Sequence, residues 1–318
     1  MDKPYVVTLG RSVQDEYWEA EHYPMAGEKI SVYRREKVAG GFSNSAFVMA
    51  ALGLTCYIAE TFGAEDESTA MHQQLMRQQG IKTDLVRTKQ GYQNHHCVIL
   101  KTARSGERTI FSLEQPHQPV PYTESELALI GGADWLLVNL SDLRCFPHPQ
   151  KMLDTVLRGG VKLAIDAEAA SFESRQQDDF YFSRCSFLSL NEFAYQKFCG
   201  DSGHRAIQQL LQRAPNCIVA HTLGAQGSRI YTRDVALQVP ALPVAAVDTT
   251  GAGDTYNGAF LYGLTNCWPL EKCALFASAA AARSTLYRDP RGGAVSAQVV
   301  QHFIAEHRYA PVLKHISR

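Results

Sequence analysis

The sequence predicts an α/β fold built on a doubly wound, mostly parallel sheet, with a small β-sheet lid beside it. Three observations carry that reading. Short, near-continuous apolar runs such as Trp135-Leu136-Leu137-Val138 and Cys217-Ile218-Val219-Ala220 suit parallel strands buried on both faces. Helical segments separate them, which is the alternation of a doubly wound sheet. Two polar, extended stretches, residues 11–38 and 92–113, break that alternation and are expected to leave the main sheet and cover the site.

In chain order, Tyr5-Val6-Val7-Thr8-Leu9-Gly10 is a buried strand closed by glycine. The segment that follows, to about Lys37, is aromatic-rich, broken by Pro24 and Gly27, and alternates near Ile30-Ser31-Val32-Tyr33. A helix of small residues is expected from Ser43 to Leu52, ended by Gly53, and another from Ser68 to Gln79, capped by Ser68 and stopped by Gly80. Between them lies the strand Tyr57-Ile58-Ala59. Asn94 to Leu100 and Arg108 to Leu113 flank Ala103-Arg104-Ser105-Gly106 and read as a hairpin, polar on both faces and outside the core. The core strands are then Asp134 to Leu140, Val161 to Ile165, Phe187 to Leu190 and Cys217 to Ala220. Helices are expected at Thr123 to Ile130, with Thr123 and Glu126 as a capping box, Pro149 to Leu157, Asn191 to Phe198, Arg205 to Gln212, and Pro269 to Ser284.

Composition narrows the class. The 318 residues, 45% apolar, supply chain enough for a sizeable core, and no internal repeat or long linker divides them, so residues 1–318 are read as one domain. A formal charge of −1 argues against nucleic acid or an anionic membrane as partner. No window approaches a membrane span, and Met1-Asp2-Lys3-Pro4 lacks the basic-then-apolar order of a secretory signal, so a cytoplasmic protein is expected. Eight cysteines (Cys56, Cys97, Cys145, Cys185, Cys199, Cys217, Cys267 and Cys273) show no Cys-x-x-Cys pair and read as reduced apolar fillers. His95 and His96 are adjacent on a strand and point to opposite faces, which is poor geometry for a metal.

The chemistry concentrates at Asp248-Thr249-Thr250-Gly251-Ala252-Gly253-Asp254-Thr255. Two glycines around an alanine let the backbone turn tightly ahead of a helix, whose open N–H groups favour an anion such as phosphate. A carboxylate at the same point, Asp254, is suited to taking a proton from a hydroxyl that attacks a phosphate. A glycine turn alone is as often a plain helix cap. The longer pattern closely resembles the C-terminal signature of the ribokinase-like (PfkB) family of carbohydrate and nucleoside kinases, and the resemblance extends over nearly the whole chain.

That resemblance implies a Rossmann-like fold with a β-sheet lid, ATP and Mg2+ as cofactors, and transfer of phosphate to a hydroxyl, a primary one, of a small sugar or sugar derivative. Asp254 falls on the family's catalytic base, and the amides of Gly251, Ala252 and Gly253 on its anion hole. Thr222, Gly224 and Gly227 match a nucleotide-binding turn, with Asn191 on the same side, and Ala277 to Ala281 lie where the adenine pocket is lined. Asp15, Gly40, Gly41 and Asn44 match the substrate side. Asp248 and Thr250 correspond to positions that bind a monovalent cation in some members, which adds K+ to the suggested cofactors. Arg108 is a further residue for the acceptor or for solvent. A homodimer through the lid also follows by resemblance.

Two departures from the family pattern stand out. In Ala39-Gly40-Gly41-Phe42-Ser43-Asn44, aligning Asn44 puts Ala39 at the first glycine of the signature pair. The family's Asn-x-x-Glu reads Asn191-Glu192-Phe193-Ala194 here, so magnesium must lean on phosphate oxygens, water or Glu192. Two other functional classes compete. A nicotinamide dehydrogenase would carry its glycine fingerprint in the first strand-turn-helix unit rather than near the C-terminus. A non-catalytic sugar or nucleotide sensor on the same scaffold fits Ala39 and Ala194 but not an intact Asp254. A nucleoside kinase of the same family stays open beside the sugar kinase, because the sequence does not specify the acceptor.

Overall fold

In the computed structural model, which describes residues 4–102, 108–113, 116–311 and 314–315, ten strands form one sheet and four form another. The chain enters the large sheet at its middle. β1 (Tyr5–Leu9) pairs in parallel with β4 (Thr55–Gly63) on one side and with β8 (Trp135–Asn139) on the other. β5 (Val86–Lys89) lies outside β4, while β9 (Lys162–Ala167), β10 (Cys185–Asn191) and β11 (Ile218–Thr222) follow β8 in parallel order. Growth outward from a central strand in both directions is the doubly wound arrangement that the apolar runs predict. Beyond β11 the sheet turns antiparallel through β12 (Ser228–Tyr231), β13 (Ala236–Val239) and β14 (Lys314–His315), an edge the sequence reading did not contain.

Period-two alternation sends successive strand residues into two separate apolar layers. Val7, Leu136, Ile165, Leu188 and Val219 belong to one cluster, while Val6, Leu137, Ala164, Phe187 and Ala220 belong to the other. The first layer is covered by α3 (Glu124–Gly131), α4 (Leu140–Arg144), α5 (Pro149–Leu157), α6 (Asp179–Phe182), α7 (Glu192–Cys199) and α8 (Arg205–Arg213). The second is covered by α1 (Asn44–Ala51), α2 (Glu67–Gln78), α9 (Ala252–Thr265), α10 (Leu270–Ser284) and α11 (Ala297–Glu306). Each fully buried Leu, Ile or Phe stabilises such a layer by about 1.5–3 kcal/mol relative to exposure.

Local chemistry sets the helix starts. Thr123 and Glu126 form the expected capping box on α3. On α2 the cap is Asp66, whose carboxylate accepts from the Ser68 N–H at 2.9 Å, and not Ser68. The charged oxygen is the stronger acceptor, so the helix begins earlier than expected. α1 starts without a side-chain cap at Ser43, and Gly53 follows its end at φ +105, where a left-handed turn favours glycine.

The segments expected to form the lid make up the separate small sheet. β2 (Ser12–Ala20) lies between β3 (Val32–Gly41), antiparallel to it, and β6 (His95–Thr102), parallel to it, with β7 (Arg108–Leu113) outside β6. The two strands expected to form a hairpin do pair antiparallel, although Ala103 to Gly106 and the Arg108 side chain lie outside the described residues. The expectation that this hairpin is polar on both faces fails: Cys97, Ile99 and Leu100 are buried. His95 contacts Arg11 and Ser112, whereas His96 faces Glu16, as strand alternation requires.

All eight cysteines are free, with Cys145 and Cys267 exposed and the rest buried. The sequence spacing hid one proximity, for Cys185 and Cys217 place their sulfurs 3.4 Å apart. Among the described residues, no helix is long and apolar enough to cross a membrane.

Candidate active site

Gly251 is the N-cap of α9 and sits at φ +76, the left-handed region that glycine enters without strain. A Cβ there would also run into the Pro290 carbonyl, so the residue serves both conformation and close approach. The Ala252 N–H is already bonded to the Thr249 carbonyl at 3.3 Å. Of the three amides expected to face an anion, that of Ala252 is thus engaged within the turn.

Asp254 occupies the first turn of α9 and is tied to α1. Asn44 Nδ2 donates to Asp254 Oδ2 at 3.2 Å, and Ser45 Oγ donates to its main-chain oxygen at 3.2 Å and lies 3.4 Å from Oδ1. The helices can approach this closely because Gly258 lacks a Cβ, which would meet the Ser45 carbonyl at 3.0 Å. Burial pushes the Asp254 carboxyl well above the ordinary carboxylate range, the charge of Asp166 adds to the push, and the Asn44 and Ser45 donors oppose it. Asp166, at the carboxyl end of β9, is itself pushed up to about 7 by burial and Glu168. A carboxylate held this way is a stronger base than a surface aspartate.

Ala252 and Gly253 also form one end of a cavity of about 400 Å³ whose other end is the turn after β11. Thr222, Gly224 and Gly227 line it, so the structure joins the expected nucleotide turn to the expected anion hole. Its walls include Leu242, Val244 and Ala281, apolar enough to receive a flat ring. Of the alanines expected there, Ala281 reaches the cavity, whereas Ala277 is packed in the core.

The residues expected on the substrate side lie on β2, at the end of β3 and at the start of α1. Asp15 is buried on β2, paired with Val38 and Cys97 of the neighbouring strands. A Cβ on Gly40 would strike its carboxylate, and Gly41, at φ +85, would strike the Val13 backbone at 2.7 Å. The glycine pair therefore lets the Asp15 carboxylate lie against the strand and turns the chain from β3 into α1, where Asn44 is the first residue. Ala39 is buried beside them.

Asn191 is adjacent to Thr222 in the parallel β10–β11 register, but its side chain accepts from the Ala194 N–H at 2.9 Å and caps α7. Ala194, whose methyl group offers no donor atom, is fully buried in the apolar layer. Glu192 is engaged by His221 at 2.9 Å and Gln196 at 2.9 Å, and that histidine is stacked on Tyr195. Among the described residues, no three His, Cys, Asp or Glu side chains converge as a metal cage. Asp248 is likewise engaged: Oδ1 accepts from the Thr250 N–H and hydroxyl at 2.9 and 2.7 Å, and Oδ2 is paired with the Lys101 ammonium. These residues do not fit K+ as they stand, because a side-chain cation already faces the carboxylate.

Sequence reasoning missed four participants. Asp166 ends a strand at the site, and the Asp166-Ala167-Glu168 spacing at a strand terminus was the available signal. Arg291 donates from Nε to Asn44 Oδ1 at 3.2 Å, and the Gly292-Gly293 pair after it marked a close-packed loop. Lys101 carried no local signal. Neither did Glu60, which is buried on β4 and accepts from the Ser12 N–H and hydroxyl at 2.5 and 2.7 Å.

Comparison with known proteins adds an independent line. The family model described as pfkB family carbohydrate kinase matches residues 3–296. A ribokinase from Bacillus subtilis is 24% identical over 307 residues, covering 94% of this chain and 99% of that one. The structure of Arabidopsis thaliana ribokinase complexed with ribose and ATP superposes with a TM-score of 0.81 at 23% identity, over 95% of this chain and 99% of that one. A Burkholderia thailandensis nucleoside kinase in complex with inosine gives 0.78 at 17% identity, over 96% and 100%.

Proposed function

The chain belongs to the pfkB family of carbohydrate kinases, and from that premise we propose that it transfers the γ-phosphoryl group of ATP to a primary hydroxyl of a small sugar, with Asp254 as general base. The observation that most supports this reading is the meeting of three features at one turn. A nucleotide-sized cavity is lined by Ala252 and Gly253, Asp254 follows them in the chain, and Asn44 reaches Asp254 from the acceptor side.

In this reading Asp15 and Asn44 hold the sugar with one hydroxyl toward Asp254. The carboxylate takes the hydroxyl proton while that oxygen forms its bond to the γ-phosphorus and the bond to the bridging oxygen breaks. The N–H groups of Gly251 and Gly253 face the charge that develops on the transferred group. The apolar wall beside Ala281 receives the adenine, and Thr222, Gly224 and Gly227 shape its turn. Mg2+ entering with the nucleotide would supply charge neutralisation. Potassium is left out of the reaction because Lys101 faces Asp248. Closure of the lid excludes water, which limits hydrolysis of ATP.

A nucleoside acceptor is the second reading, favoured by the similarity to nucleoside kinases. We also propose that two copies pair through the lid, whose two edge strands expose Val32 and Tyr33 on β3 and Ile110, Phe111 and Leu113 on β7. The free, mostly buried thiols suit a reducing compartment, and we place the protein in the cytoplasm.

The deciding experiment is to incubate the purified protein with Mg-ATP and a panel of sugars and nucleosides and follow ADP. At least one acceptor is expected to raise ADP production, and D254N to lower turnover by roughly three orders of magnitude while still binding ATP. Full activity in D254N would remove the base assignment. A sugar that raises the melting temperature without raising ADP production would favour a sensor.

A further inference from the structure

The loop that carries Arg291 is built against the catalytic turn. Asp289 Oδ1 accepts from the Arg291 N–H at 2.8 Å, and Arg283 Nη1 donates to the Gly292 carbonyl at 3.2 Å. A Cβ on Gly293 would run into the Thr255 side chain of α9, so the backbone of the loop lies directly against the helix start. The Arg291 guanidinium lies over Phe47, 3.6 Å from the ring centroid and one turn along α1 from Asn44. From there its Nε donates to Asn44 Oδ1 at 3.2 Å, while Asn44 Nδ2 donates to Asp254 Oδ2 at 3.2 Å.

An asparagine amide is nearly symmetric in shape, and turning it over exchanges donor for acceptor. A guanidinium can only donate. Arg291 therefore tolerates one orientation of Asn44, the one that turns an N–H toward Asp254. We propose that Arg291 is a positioning residue that fixes the direction of the Asn44 amide, so that the ionised form of the catalytic carboxylate always receives a donor. The proposal rests on the reading of Asp254 as that base.

Without Arg291 the amide is free to present Oδ1 to the carboxylate, an arrangement that suits only the protonated acid. The other charged groups nearby act on Asp254 or Arg291 but not on the amide. Asp166 and Glu168 raise Asp254 from the end of β9, and Ser45 opposes them from α1. Asp289, Glu60, Asp254 and Asp15 surround the guanidinium, and His72 on α2 is held neutral by burial and by the same positive charge. Among the described residues, Arg291 and Asp254 are the two side chains hydrogen-bonded to the Asn44 amide.

The test compares wild type, R291M and R291Q, the second keeping a polar side chain that imposes no direction. The acid limb of kcat/KM against pH is expected to move up by about one unit in R291M, a roughly tenfold loss on that limb, and by less in R291Q, with the KM for ATP within about twofold. In an N44A background either substitution is expected to add no further shift, because the amide it acts through is gone. An unmoved acid limb, or an equal shift in the N44A background, overturns the proposal. The Asp254 carboxyl is also titrated by 13C NMR without substrate, its signal identified by its loss in D254N. A midpoint that rises in R291M while no acceptor is phosphorylated keeps the relay and removes the kinase reading; an unmoved midpoint in an active kinase does the reverse.

Discussion

Lys101 and Asp248 are joined by an ion pair that crosses from the lid sheet to the loop ahead of α9, over 147 residues of sequence. The lysine ammonium also lies over the Tyr17 ring at 4.5 Å. Although burial pulls the Asp248 carboxyl up, Lys101 and Thr250 hold it below its ordinary range. The cation beside this carboxylate is thus supplied by the chain itself.

Exchanging K+ for Na+ at constant ionic strength is therefore expected to change kcat/KM by less than about twofold, since the local charge is already balanced. K101M removes one charged partner of a nearly buried carboxylate and is expected to cost roughly 1–3 kcal/mol of stability. Added KCl is expected to recover part of the activity of that variant. A potassium titration that is flat in K101M and steep in wild type would contradict the assignment.

Glu60 predicts a pH dependence of stability. Its carboxyl is fully buried, and burial pushes it up to about 8 against the two Ser12 donors. Between the ordinary glutamate range and that value the folded chain holds a proton that the unfolded chain has released. Stability from this group is thus present at low pH and falls as pH rises, by at most about 1.4 kcal/mol per unit. E60Q cannot ionise, so its melting temperature is expected to overtake that of wild type progressively between about pH 5 and pH 8. Parallel melting curves across that range would show that Glu60 is ionised in the folded protein.

Gly251→Ala combines two penalties, a left-handed backbone and a collision with the Pro290 carbonyl. The backbone penalty alone is about 1–2 kcal/mol. Because the turn must open to relieve the collision, turnover is expected to fall further than stability. Urea melts and initial rates on the same preparation separate the two effects, and a variant with full turnover would show that the turn need not be tight.

Ala281→Phe fills the apolar end of the cavity while leaving the lid untouched. The KM for ATP is expected to rise by about tenfold or more, with the acceptor KM nearly unchanged. Equal increases in both would place the acceptor in this cavity.

The α/β architecture was legible because parallel strands buried on both faces are written as unbroken apolar runs, from Leu136 to Val219. The antiparallel edge was not, because strands as short as β12 and β13 carry too few residues for a period to emerge. The Asp254 turn was legible from local glycine chemistry. Lys101, Arg291 and Glu60 were not, since their partners lie 147, 247 and 48 residues away and a long-range ion pair or hydrogen bond leaves no trace in spacing. The α2 cap shows the same limit at short range, where Asp66 and Ser68 both suit an N-cap and only the geometry chooses Asp66.

The hydrogen bonds that join Asn44, Asp254 and Arg291 span 210 and 247 residues of chain. During synthesis, a nascent polypeptide holding Asn44 and most of the sheet still lacks the carboxylate it must serve, and one that has reached Asp254 still lacks the guanidinium. The groups around Asp254 are consequently among the last that the ribosome completes, and a chain that ends before Arg291 is expected to leave the direction of the Asn44 amide unset.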